Sequence, residues 1–252
     1  MRKFFVESNQ IENNQIIILG EDVNHIKNVL RLNIGEKIKI CDKTNKVNYI
    51  SEITEITSKE VFCNILEIAK NEAEGNVELH IFQGLPKADK MELIIQKGTE
   101  LGVTEFIPVS LKRSIVKISG KDEAKKIDRW NKIAEVAAKQ SGRDLVPIVR
   151  NVENIKNICN EIKDYDIVLL AYELEENNYI KNELQKLKRK NKNYKIAIII
   201  GPEGGLEQDE VSVMQESGAK VISLGKRILR TETVALQVSS IIMYELENGG
   251  NE

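Results

Sequence analysis

Short alternating segments dominate the first 70 residues. RKFFV at 2–6, QIIIL at 15–19, EKIKIC at 36–41, VNYISEI at 47–53 and VFCNILEI at 61–68 each read as a strand, because apolar and β-branched residues recur there between polar turns. Their close spacing predicts a small β-barrel. One stretch breaks the pattern: in EDVNHIKNVLRL, Val23, Ile26, Val29 and Leu30 recur at helical spacing, and Asn33-Ile34-Gly35 supplies a stop. A helix is therefore inserted between the second and third strands. The polar, glycine-containing AKNEAEGN at 69–76 reads as a linker. It divides the chain into one domain over 1–70 and another over 76–248.

Beyond the linker, strands and helices alternate. VELHIFQGL, ADKMELIIQKGTELG, EFIPVSL, EAKKIDRWNKIAEVAAKQSG, DIVLLAY, a charged helix to Lys192, KIAIII, DEVSVMQESG, KVISLG and TVALQVSSIIMYELE follow one another, which predicts an α/β domain with a mainly parallel sheet. Ile167–Leu170 and Ile196–Ile200 are uninterrupted apolar runs, as expected of strands covered on both faces. The lysine-rich LKRKNKNYK at 187–195 reads as a solvated helix end.

The composition, 30% charged and 41% hydrophobic over 252 residues, fits a folded globular chain. No apolar run approaches the roughly 20 residues of a bilayer crossing, so no membrane partner is expected. MRKFFVES lacks a signal-peptide core, which places the protein in the cytoplasm. Cys41, Cys63 and Cys159 are odd in number and have no CxxC spacing, an argument against a disulfide framework and against a zinc site. The net charge of −2 suggests no polyanionic partner by itself. Its distribution does: residues 84–150 carry 14 basic and 9 acidic side chains, against 4 and 9 over 201–252. A locally basic surface on an acidic chain suits a polyanion that touches one face.

Two segments carry the candidate chemistry. IAIIIGPEGGLEQDE runs from a buried strand through Gly201-Pro202-Glu203-Gly204-Gly205 into a helix, and ligands bind at such strand ends in α/β sheets. It matches neither a phosphate-binding GxxxxGK[ST] loop nor GxGxxG. In KVISLGKRILRTETVALQ, a strand ending at Leu224-Gly225 leads through Arg227, Arg230, Thr231, Glu232 and Thr233 into an apolar helix. Thr231 or Thr233 reads as its N-cap, and Arg230 as a partner for Glu232 or Glu203. Together the two loops offer main-chain groups, hydroxyls and a cation around one crevice, which suits a nucleoside-like ligand. A third set, Gln83, Lys87, Lys90, Lys97, Glu100, Arg113, Gln140, Ser141 and Arg143, spreads basic and amide groups over successive element ends, where phosphates and splayed bases are read. Within it, Lys90 and Lys97 read as ordinary solvated helix lysines. His25 and His80 are too isolated for a metal pair or a catalytic triad.

In order, MRKFFV, HIKNVLRLNIGE, QGLPKADKMELIIQKGTELGV, IPVSLKRS, RWNKIAEVAAKQSGR, IGPEGG and LGKRILRTET resemble the ribosomal RNA small subunit methyltransferase E family over nearly the whole chain. Members of that family methylate N3 of a uridine in 16S rRNA with S-adenosylmethionine. The resemblance implies a PUA-like β-barrel followed by a SPOUT-type α/β domain whose last third forms a trefoil knot, and a homodimer joined through the knot region. It implies cofactor contacts at Leu170, Ala171, Gly201, Pro202, Glu203, Gly204, Gly205, Leu224, Gly225, Ile228, Leu229, Arg230, Thr231 and Thr233. The target, 16S rRNA free or in an assembled small subunit, would be held by Arg2, Lys3, His25, Arg31, Lys87, Arg113, Gln140 and Arg143. Uracil N3 carries a proton, so transfer needs a base or a cation for the developing ring anion. Arg230 fits the cation, and Glu232 or Glu203 the proton acceptor. Two other readings remain open at this point: another SPOUT activity such as ribose 2′-O methylation, and a noncatalytic RNA-binding assembly protein.

Overall fold

The structure, a computed structural model, describes residues 1–118, 120–187 and 193–247. It separates into two compact units, one of residues 1–74 with 138–146, the other of residues 75–137 with 147–252. The return of 138–146 to the first unit has no counterpart in the contiguous division expected from the linker.

In the first unit, β1 (Lys3–Val6), β2 (Ile11–Glu12), β3 (Gln15–Leu19), β4 (Lys37–Asp42), β5 (Asn48–Ile56) and β6 (Glu60–Ala69) form one sheet in the order β1-β4-β5-β6-β3-β2. The pairs are antiparallel except β1 with β4. Alternate residues, among them Ile16, Ile18, Ile38, Ile40, Val61 and Cys63, face a common core. The expected helix is present as α1 (Glu21–Asn24) running into a π-helical stretch, His25–Leu30, that Arg31 ends in the left-handed conformation. Val23 and Ile26 are its buried side chains.

The linker is not a free tether. The backbone N–H groups of Glu72 and Ala73 donate to Asp144, whose carboxylate also takes Lys3 at 2.6 Å and Lys39 at 2.8 Å. Burial would raise the Asp144 carboxyl, but these donors outweigh it and hold it well below the usual carboxylate range. Arg143 pairs with Glu74 at 2.6 Å.

The second unit holds β7 (Val77–Gly84), α2 (Lys90–Glu100), β8 (Glu105–Val109), α3 (Lys121–Ser141), β9 (Ile148–Val149), α4 (Ile155–Glu161), β10 (Ile167–Ala171), α5 (Ile180–Lys186), β11 (Tyr194–Ile200), α6 (Gln208–Glu216), β12 (Lys220–Ile222) and α7 (Thr231–Leu246); the last turn of α3 belongs to the first unit. All six strands are parallel, in the order β12-β10-β11-β7-β8-β9. The central β11 is almost wholly buried, which is why its sequence is one apolar run. On one face Phe82, Val168, Leu170, Ala197 and Ile199 pack with Ile158, Val211 and Met214 of α4 and α6. On the other, α7 packs on β7, β11 and α2, burying Ala235, Val238, Ser239, Ile242 and Met243 at helical spacing. The charged helix expected as far as Lys192 is α5, and residues 188–192 of the lysine-rich tract lie outside the described residues. No described helix is long and apolar enough to cross a membrane.

A polar network occupies the lower half of this sheet, toward the strands' N-terminal ends. His80 meets Glu78 at 2.9 Å, Tyr165 at 2.9 Å and Glu105 at 3.1 Å. Arg150 reaches Glu161 at 2.8 Å, Glu153 at 3.1 Å and Glu105 at 3.5 Å.

Candidate functional site

The opposite edge of the sheet is open. Where β10, β11 and β12 end, the residues that follow them border a cleft of about 510 Å³, at the strand ends where α/β sheets bind ligands. Ala171 ends β10 and Tyr172 and Glu173 follow it, Gly201 to Gly205 come from the turn after β11, and Ser223 to Arg230 from the loop after β12. Thr231 and Val234 of α7 and Lys90 of α2 complete the lining.

Two local features hold the loops in register. The Thr231 hydroxyl donates to the Gly201 carbonyl at 2.7 Å and accepts from the Gln83 side-chain amide at 2.8 Å, which ties α7, the turn after β11 and the end of β7 together. A side chain at Gly84 would meet Pro202 at 2.7 Å, so β7 can approach that turn only because the position is glycine. Thr231 is thus not the N-cap expected from the sequence. Arg230 holds the cap position, with no side-chain cap bond, and the threonine hydroxyl is spent across the cleft wall instead.

Of the expected cofactor residues, Ala171, Gly201, Pro202, Glu203, Gly204, Gly205, Leu224, Gly225, Ile228, Leu229, Arg230 and Thr231 line this one cleft. Leu170 lies buried one residue behind it and Thr233 is exposed on the first turn of α7. Tyr172, Glu173, Ile200, Ser223, Lys226, Arg227 and Lys90 line it as well.

Charge is arranged unevenly around the rim. Arg230 is exposed and its side chain makes no hydrogen bond or ion pair among the described residues; Glu203 and Glu232, its expected partners, are both taken by Lys90, at 2.9 and 3.3 Å. Burial would raise the Glu203 carboxyl, but hydrogen bonds from Lys90 and from the backbone N–H groups of Glu203 and Lys87 hold it below the usual range. The Lys90 ammonium is stabilised in turn, first by Glu203 and then by Glu232. Glu232 Oε2 is buried and has no hydrogen bond despite that ion pair, and Gln83 Oε1 is likewise buried without a partner.

The expected RNA contacts divide into exposed and engaged groups. In the first unit Arg2, His25, Arg31 and Gln140 are exposed. Lys3 is tied to Asp144 and to the Gly142 and Arg143 carbonyls. Arg143 is buried, its side chain 5% exposed against Glu74: the loop that made it look free closes over it, so its guanidinium is committed to the unit's interior. In the second unit Lys87 is exposed, and Arg113 donates to the Gly204 carbonyl at 2.9 Å and to Glu207 at 2.8 Å. No cluster of metal-ligating side chains occurs among the described residues. All three cysteines are free, and burial pushes the Cys41 and Cys63 thiols up to about 12.

Comparison with known proteins turns this geometry into a lineage. Residues 73–243 match an RNA methyltransferase domain model, and residues 18–66 an RNA methyltransferase PUA domain model. The protein named ribosomal RNA small subunit methyltransferase E in Bacillus subtilis (strain 168) is 39% identical, with 98% of each chain covered. The chain belongs to the ribosomal RNA small subunit methyltransferase E family. Its counterpart in Mesomycoplasma hyopneumoniae (strain 232) is 33% identical over 94% of this chain and 96% of that one. Among solved structures, the family member from Neisseria gonorrhoeae, bound to S-adenosyl methionine, superposes with a TM-score of 0.82 at 27% identity over 98% of both chains. The mixed α/β domain with its parallel sheet and the PUA-like domain before it are those of the family.

Proposed function

We propose that this protein transfers the methyl group of S-adenosylmethionine to N3 of a uridine in 16S rRNA. The observation that carries the reading is the junction of two chain-distant loops, Gly201–Gly205 and Ser223–Arg230, around one cleft at the ends of parallel strands. The cleft fits a nucleoside sulfonium. Glycines from both loops line it, and Gly225 adopts φ +114 with nothing within 4 Å of where a side chain would start, leaving its amide and carbonyl open to a ligand.

The bound donor supplies an already activated methyl group, so the residues' main work is alignment and charge. As the carbon–sulfur bond breaks, its electron pair stays on sulfur, and the N3 lone pair makes the new carbon–nitrogen bond. The N3 proton passes to Glu203 or Glu232, and from there to water. Arg230 stabilises the negative charge that develops on the ring carbonyls. Because the acceptor must leave its stack to reach the cleft, the exposed Arg2, His25 and Arg31 of the PUA-like unit and Lys87 and Arg113 beside the cleft are assigned to the surrounding RNA. The trefoil threading of the last third and a homodimer joined through it follow from the family resemblance, and the cytoplasm follows from the substrate.

Two measurements test the reading. Isothermal titration is expected to show S-adenosylmethionine binding. Mass spectrometry of ribosomal RNA from cells lacking the gene is expected to show one base-methylated uridine missing from 16S rRNA. Loss of a ribose methyl instead would replace the N3 assignment, and no binding would end it.

A further inference from the structure

Lys90 opens α2, far along the chain from either loop of the cleft, and by sequence it is an unremarkable solvated lysine. The structure puts its ammonium 2.9 Å from Glu203 and 3.3 Å from Glu232, on the lining of the cleft. The two carboxylates come from different elements and share this one cation. Their oxygens therefore lie within two hydrogen-bond lengths of each other. Two carboxylates so close, with no cation between them, repel each other, and one of them holds its proton to a higher pH. A carboxyl that keeps its proton cannot take another from uracil.

We propose that Lys90 is a positioning residue for the proton acceptor: it holds Glu203 and Glu232 side by side and both ionised at the cleft, so that one of them is ready for the N3 proton. The inference rests on the methyltransferase reading of the cleft. Other charges face the pair without replacing this cation. The Lys87 backbone N–H donates to Glu203 at 3.1 Å, and Glu173, Arg230, Arg227 and Lys226 line the same cleft, but none of these three cations forms an ion pair with Glu203 or Glu232. Glu232 Oε2, buried and without a hydrogen bond, has Lys90 as its only ion-pair partner among the described residues.

The experiment uses the full chain in two parallel measurements. Carboxyl-carbon NMR titration of Glu203 and Glu232, without ligand, compares the wild type with Lys90→Met, Lys90→Gln and Lys90→Arg. Single-turnover methylation of 16S rRNA is followed against pH with the same proteins. In Lys90→Met and Lys90→Gln at least one carboxyl is expected to titrate about one pH unit or more higher. The acidic limb of the rate profile should move with it, costing about tenfold below that limb. Lys90→Arg should restore both. Carboxyls that titrate as in the wild type, or a rate that drops equally at every pH with its limb in place, would overturn the proposal. A wild-type protein that neither binds S-adenosylmethionine nor transfers methyl would instead overturn the reading beneath it, and the NMR titration would still decide whether Lys90 governs the pair.

Discussion

Toward the lower edge of the parallel sheet, Arg150 meets Glu105, Glu153 and Glu161, and His80 meets Glu78, Glu105 and Tyr165. At the upper edge, Arg230 stands over a cleft with no ion-pair partner among the described residues, and Glu232 keeps a buried oxygen without a hydrogen bond. Both edges use the same residue types. One satisfies its arginine within the fold, while the other leaves Arg230 for something outside it. An unpaired cation on the lining of a cleft is free to meet the charge of a ligand.

Substitutions at the two edges should separate rate from stability. The largest effect is expected from Arg230→Ala. Removing the cation from the cleft should slow single-turnover methylation by about 10² or more, on the scale of a lost oxyanion donor, with the melting temperature unchanged because the side chain bonds to nothing in the fold. Methylation at the wild-type rate would remove Arg230 from the mechanism. Arg150→Met should do the reverse. It strands three half-buried carboxylates, which is expected to cost about 2–3 kcal/mol in urea unfolding, while the rate per folded molecule stays the same; a stable but inactive variant would mean the lower network reaches the cleft.

The smallest effect concerns pH. Burial lowers the His80 imidazole from 6.5 to about 4, against the pull of Glu78. Between those values the unfolded chain takes up a proton that the folded one refuses, so stability falls as the pH is lowered through that window. In His80→Gln this contribution is gone, and the fall between pH 6.5 and 5 should be shallower by on the order of 1 kcal/mol. Urea melts at the two pH values read the difference, and parallel curves for the two proteins would show that His80 is not the group that titrates.

How much of this was legible in the sequence follows from where each signal is stored. Local pattern is written locally: β4 and β7 alternate polar and apolar residues at their starts, β3, β10 and β11 are apolar runs, and α3 announces itself through Ile127, Trp130, Ala134, Ala137 and Ala138. The short β2, β9 and α4 were not, because two residues of strand or seven of helix carry too little periodicity to stand out. At the cleft, the two glycine-bearing loops could be paired because each sits at a strand end followed by a helix. Lys90 could not, since nothing around it distinguishes it from Lys97, which merely pairs with Glu100 one turn away. Arg143 misled in the opposite sense: a loop arginine beside Gly142 reads as free, and only the distant Glu74 makes it an interior group.

The return of residues 138–146 to the first unit has a practical consequence. Ala138 and Val146 pack on Phe5 and Cys41, and Asp144 draws in Lys3 and Lys39. A gene fragment cut at the apparent linker would therefore yield an RNA-binding module with part of its floor missing and two lysines turned loose. Any affinity for RNA measured on such a fragment would include two positive charges that the intact enzyme keeps occupied.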